Sequence, residues 1–230
     1  MSGPLVQAIK ASFSDSVGDI VFGMEDGTVS IFGLVFGVAA SASSSQAVLL
    51  AGATGAAAAA VSMMAGTYLD VETARGQARA EIAQKRAEIA HQPDKEAKKV
   101  DARLQDADFT PQERGVIITA LRRMPGTWLR LEEETQLGPV EKRNPLVQSL
   151  WMFAADLFAA AVPVIPFAFL SLGQARTTSV TTTGLLLVFL GIGRAKVART
   201  SLVPTTILES VAIATAAAVA GVLIGKLVSR

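Results

Sequence analysis

The stretch AVLLAGATGAAAAAVSMMAGTYL, residues 47–69, runs without a break into DVETARGQARAEIAQKRAEI, residues 70–89. The first piece has no charged side chain and exceeds the roughly 20 apolar residues that a helix needs to cross a bilayer. The second is dense in charge, lacks proline and holds a single glycine, Gly76. Alanine, leucine, glutamate, glutamine, lysine and arginine all favour helix. The two pieces therefore read as one helix that leaves the membrane and continues into water, and the fold class as an all-α integral membrane protein.

Four more apolar runs extend that reading, at about residues 20–43, 146–172, 178–195 and 207–227, giving five membrane helices. The composition agrees. Hydrophobic residues make up 50% of the chain and charged residues 18%, against roughly 25% charged in a soluble domain, and mean hydropathy is +0.42. There is no cysteine and one histidine, His91, which excludes disulfides, thiolate sites and histidine-rich zinc sites. A net charge of +1 calls for no nucleic-acid partner. The N-terminal region carries no cleavable signal. Leu5, Ile9, Phe13 and Val17 recur every four residues, so residues 1–17 read as an amphipathic helix on the membrane surface.

Residues 70–145 hold 14 of the 21 Lys and Arg and 14 of the 20 Asp and Glu. They read as a soluble helical domain inserted between residues 18–69, membrane helices one and two, and residues 146–230, membrane helices three to five. Pro93 ends the long helix, Asp94 is placed to cap the next, and Thr110-Pro111-Gln112-Glu113 has the form of a capping box. Lys and Arg number 18 on the side of this domain and 3 on the other. Without the large domain the count is 4 against 3, and the cluster Arg194, Lys196 and Arg199 tips the expectation towards a cytoplasmic N-terminus and domain.

Chemistry-bearing residues stand where lipid is expected. Asp19, Glu25 and Asp26 open the first apolar segment, with Asp19 and Asp26 seven apart on one helix face. Carboxylates at membrane depth cost roughly 2.5–3.5 kcal/mol each and line a path by default; the competing reading places them at the interface, where acids are cheap. Gly23 and Gly27, then Gly33 and Gly37, are small-xxx-small pairs that let another helix approach. Met63 and Met64 are soft thioethers within a run of alanines. A Met plus Asp site suits a borderline ion such as Fe2+ better than Ca2+ or Mg2+, while Met as apolar filler is the commoner case. Asp156 and Glu209 are further acids in apolar surroundings, each a candidate proton carrier. Pro163 and Pro166 kink the third membrane helix.

Asp19-Ile20 with Glu25-Asp26-Gly27-Thr28-Val29, Val61-Ser62-Met63 with Gly66-Thr67-Tyr68-Leu69, the Val162-Pro163-Val164-Ile165-Pro166-Phe167 turn and Gly193-Arg194-Ala195-Lys196 together resemble the vacuolar iron transporter family, in a prokaryotic-like form. The resemblance implies five membrane helices per subunit, a homodimer with the ion path at its interface, a cytoplasmic metal-binding domain and proton-coupled export of Fe2+. It matches Asp26 and Met63 to the ion ligands and Asp19 to an acid near the cytoplasmic mouth. Glu88 and Glu96 match metal-binding glutamates of the soluble domain. Departures are also visible: Gly55 replaces a carboxylate of eukaryotic members, Lys85, Lys99 and Gln136 stand at acid positions, and Glu132 and Glu133 stand where methionines would be. Glu81 and Lys85 read as an ordinary i, i+4 surface pair, and His91 as a surface residue.

The resulting expectation is a homodimeric transporter that exports Fe2+, with Mn2+ and Zn2+ as further candidate cargo, in exchange for protons. Asp26 and Met63 would bind the ion, Asp19 and Glu25 would line the entrance, and Glu81, Glu88, Glu96, Glu132 and Glu133 are candidate ligands in the soluble domain. No prosthetic group is implied, and either a bacterial-type cell membrane or an organelle membrane fits. A passive cation pathway and a membrane-anchored adaptor are the alternatives. No nucleophile and base pair, phosphate loop or cofactor motif points to an enzyme.

Overall fold

The computed structural model describes residues 4–124, 126–130, 144–198 and 203–228. Among these the chain is almost wholly helical, with no strand. The helices are α1 (Pro4–Ser41), α2 (Ser45–His91), α3 (Pro93–Asp106), α4 (Pro111–Arg123), α5 (Pro145–Val164), α6 (Pro166–Phe169), α7 (Leu172–Val197) and α8 (Val203–Val228). Five stretches are long and apolar enough to cross a membrane: Ser16–Ser41, the helix Ser45–His91, Pro145–Val164, Leu172–Val197 and Pro204–Val228. The chain divides into a membrane unit, Met1–Tyr68 with Pro145–Arg230, and a second unit, Leu69–Asn144.

In the membrane unit α1 is the helix on which the others pack. One of its faces, Ile31, Val35 and Ala39, is buried with Val48 and Ala56 of α2, Ala160 and Val164 of α5 and Ala175 of α7. Another face brings Phe32 against Leu187 of α7 and Ala214 of α8. The four-residue spacing of Ile31, Val35 and Ala39 is that of one helix stripe. Both glycine pairs on α1 are used. Gly33 and Gly37 meet the backbone of Ala217 and Gly221 on α8, so closely that a Cβ on either side would overlap main chain. Gly23 and Gly27 instead receive Met152 and Asp156 of α5. Large apolar side chains such as Phe22, Leu50, Phe158, Phe169 and Phe189 point outward, which in a bilayer faces them to lipid.

Two prolines shape the turn after α5. The helix ends at Val164, α6 occupies one turn from Pro166, and Leu170 is extended. Ser179 of α7 donates a hydrogen bond to the Pro163 carbonyl, 2.8 Å, satisfying a group that a kinked helix leaves without its usual partner. The Arg176 guanidinium donates to the Ala39 carbonyl, a cation at the negative end of α1. The third apolar run, read as residues 146–172, is thus a helix that stops at the prolines. The fourth begins earlier than expected, at Leu172. Residues 4–15 belong to the same unbroken helix α1 but precede its membrane-crossing part, which begins at Ser16.

In the second unit Ile89 of α2, Ala97 of α3 and Trp128 form a small core, lined by Val100, Ile118 and Leu121. Thr110 and Glu113 make the expected capping box at α4, and these bonds from Thr110 hold the Glu113 carboxyl below its ordinary range. Asp94, expected to cap α3, lies in its first turn, while Gln92 occupies the cap position. With Pro93 at the first helical position the missing N–H costs nothing, and Asp94 pairs with Arg122 of α4 at 3.1 Å.

Candidate metal site

Asp26 of α1 and Met63 of α2 are both half-buried in the membrane unit. Their relation follows from the packing of the two antiparallel helices. Gly52 lies against Val35, and Gly55 against Leu34 and Ile31. Extending that register puts Met63 opposite Met24, two residues from Asp26 and about 3 Å from it along the axis. On that extended register a hard oxygen and a soft sulfur would stand at about the same level of α1 and α2, the donor mix suited to a borderline divalent ion.

The other two acids of the α1 opening are engaged by protein. Gln148 of α5 donates a hydrogen bond to the Asp19 carboxylate. Glu25, expected at the entrance, is buried and accepts from the Arg194 guanidinium at 3.2 and 3.3 Å and from the Ser210 hydroxyl. Arg194 also pairs with Glu209 and donates to the Thr206 carbonyl at 3.5 Å. Glu25 and Asp26 are adjacent in sequence but about 100° apart around the helix, so one turns to α7 and α8 while the other does not. The Glu25, Arg194 and Glu209 network escaped the sequence reading, in which Arg194 served for orientation and as part of a family motif. Its signal was an arginine within four residues of apolar helix together with two acids lacking partners.

Asp156 of α5 is fully buried, and neither carboxylate oxygen has a hydrogen-bond partner among the described residues. It lies against Gly27, within Coulombic reach of Asp26.

In the second unit the expected glutamates do not converge on an open site. Glu81 is exposed, and Lys85 turns to Glu96 of α3. Lys99 pairs with the same Glu96 and reaches Glu88 at 3.6 Å. Glu96 is only 1% exposed. Burial works against its ionisation, but hydrogen bonds from Lys85 and Lys99 outweigh that and hold its carboxyl below the ordinary range. Gln84 donates to Glu88 at 2.9 Å. Glu132 and Glu133 lie outside the described residues, as does Gln136. Among the described residues no three Asp, Glu, His or Cys side chains are grouped to hold a metal.

The VIT family's sequence profile matches residues 17–226. Vacuolar iron transporter 1 of Oryza sativa subsp. japonica is 33% identical over 179 residues, covering 76% of this chain and 71% of the rice protein. Vacuolar iron transporter 1 of Eucalyptus grandis is 34% identical over 182 residues, 77% of this chain and 73% of that protein. Vacuolar iron transporter 2 of Oryza sativa subsp. japonica is 32% identical over 178 residues, 76% and 72% respectively. Members of this family are transporters and not enzymes. With five spanning helices, a match over nearly its whole length and relatives at one-third identity, the chain is a multi-pass integral membrane protein that belongs to the VIT family.

Proposed function

We propose that the chain is a homodimeric secondary transporter that moves Fe2+ out of the cytoplasm in exchange for protons, with Mn2+ and Zn2+ as further candidate ions. The register of α1 and α2 supports the reading: extended from the contacts of Gly52 and Gly55 at the ideal helix rise, it brings Asp26 and Met63 to about one level. The names borne by the relatives support iron as the cargo. A carboxylate must be deprotonated to bind a metal, so Asp26 exchanges metal for proton as the pH around it changes. Asp19, held by Gln148, sets the charge near the cytoplasmic mouth. The bonds already made by Glu25 assign it to anchoring α1 against α7 and α8. The stripe Thr54, Ala58, Ser62 and Gly66 on α2 is exposed and small, a surface on which a helix of a second copy can pack closely. In the second unit Lys85 and Lys99 engage Glu96, and Lys99 also reaches Glu88, so Glu81, Glu88, Glu132 and Glu133 are candidate ligands of a weak site only.

The test is anaerobic Fe2+ uptake into liposomes containing the full chain, with and without an imposed pH gradient. Asp26→Ala and Met63→Ala are each expected to reduce uptake at least about tenfold while eluting from size exclusion like the parent. Parent rates in both variants refute the site. Uptake that ignores the pH gradient favours a passive pathway instead.

A further inference from the structure

Met152 and Asp156 of α5 are four residues apart and share one face of that helix. Each is set against a glycine of α1. The Met152 sulfur lies close enough to Gly23, and Asp156 Oδ1 close enough to Gly27, that a Cβ on either glycine would clash with it. Met152 is 4% exposed and Asp156 0% exposed. Both oxygens of Asp156 lack a hydrogen-bond partner among the described residues. Such a carboxylate, ionised, is strongly unfavourable unless a cation reaches it. A second buried oxygen without a partner, Thr183 Oγ1, lies on α7. Ser179, one turn before it, bonds the Pro163 carbonyl of α5. The antiparallel register then leaves Thr183 about 5 Å from Asp156 along the axis.

We propose that Met152 and Asp156 form a second divalent transition-metal site in the membrane unit, beside α1, one that takes a borderline ion such as Fe2+ or Co2+ in preference to Mn2+ or Mg2+. The donor pair repeats that of Asp26 and Met63, one carboxylate and one thioether, but both donors come from a single helix. The carboxylate binds any divalent ion, and the thioether favours the softer ones. Gly27 is a condition for the site, since a Cβ there meets both the carboxylate and the backbone carbonyl of Asp156, and Gly23 leaves the Met152 sulfur its present position. Asp26 adds negative charge close by, so the two sites share a local field that concentrates cations. The proposal rests on the reading of the chain as a divalent-metal transporter, with Met152 and Asp156 as an additional station for the same cargo.

The test uses the full chain in detergent for binding and in liposomes for uptake, with Co2+ as the binding probe and Fe2+ as the transported ion. D156N is isosteric and neutral, and M152L conserves volume without the sulfur. Equilibrium dialysis is expected to give one Co2+ fewer per chain in D156N, and uptake is expected to fall roughly 10- to 100-fold. M152L is expected to keep Mn2+ binding and lose Co2+ affinity, lowering the ratio of Co2+ to Mn2+ affinity. An unchanged Co2+ stoichiometry in D156N overturns the proposal whatever uptake does, and identifies Asp156 as a buried neutral acid. Should D156N fail to fold, M152L decides: an unchanged ratio of the two affinities overturns the site. If D26A abolishes uptake while D156N binds as the parent does, the transport reading stands and the second site falls. If the parent moves no metal yet D156N loses one Co2+, the site stands and the transport reading falls.

Discussion

Glu25 and Asp26 are neighbours in sequence with opposite situations in the fold. The Glu25 carboxylate is bound by Arg194 and Ser210, and Asp26 is left half-exposed. Removing Arg194 alone leaves Glu25 as a buried charge without its partner, and breaking a fully buried pair costs about 3–5 kcal/mol. The Arg194 side chain is 32% exposed, so water screens part of the loss and the cost falls below that range. Thermal unfolding in detergent is expected to show Arg194→Leu clearly destabilised and the double variant with Glu25→Leu largely recovered. No recovery in the double variant would mean that the ion pair is not what the arginine contributes. Gly27 poses the opposite problem, because a methyl there meets both the side chain and the carbonyl of Asp156. Gly27→Ala is expected to cost about 1–3 kcal/mol by overpacking, read as a lowered unfolding temperature, whereas Gly76→Ala, with open space around it, is expected to be neutral or slightly stabilising.

At the scale of the element, the glycine spacing on α1 was legible in the sequence and the identity of the approaching helices was not. Pairs at 23 and 27 and at 33 and 37 announce close contacts on α1. Nothing local says that α5 takes the first and α8 the second, since that depends on the order in which five spans pack. The lysines of the second unit show a similar limit. Lys85 has Glu81 at i−4, which fits a surface pair, yet the tertiary fold draws it to Glu96 across the α2–α3 turn. That buried carboxylate gives the unit a pH signature. The native value for Glu96 is lowered from an ordinary 4.5, so its stabilisation is complete above that value and is lost as pH falls through the native one. Lys99 is raised from 10.5 by its bond to Glu96, so its share is present below that value and lost as pH rises through the native one. The unit should therefore hold its structure across neutral pH and loosen first in acid. Trp128 lies in its core, and with Trp151→Phe it becomes the only tryptophan of the chain. Its fluorescence is expected to be flat from about pH 5 to pH 9 and to shift to the red in stronger acid. The Glu96→Gln variant should lose that acid transition, and a transition that persists in it would assign the effect to other carboxylates.

For the whole molecule, length and hydropathy sufficed to count the spans, because lipid imposes one requirement on all of them: about 20 apolar residues with every backbone group bonded internally. Orientation obeys a weaker rule. Two of the three basic residues that support it, Arg194 and Lys196, lie in the last turn of α7, and the third, Arg199, lies outside the described residues. Arg194 is moreover committed to Glu25 and Glu209, so it is a structural cation as much as a topological signal. A direct measurement is available because the chain has no cysteine, so a single introduced thiol is the only one present. Ala102 is exposed on α3, whereas the neighbouring Asp101 is paired with Arg114 at 3.4 Å, which makes Ala102→Cys the less disruptive choice. In intact cells a membrane-impermeant maleimide is expected to leave Cys at this position unmodified, and to label it once the membrane is opened, as a cytoplasmic location of residues 70–145 requires. Labelling of intact cells would place that unit on the far side, reverse every span, and turn the proposed exporter into an importer with Asp19 at its exit.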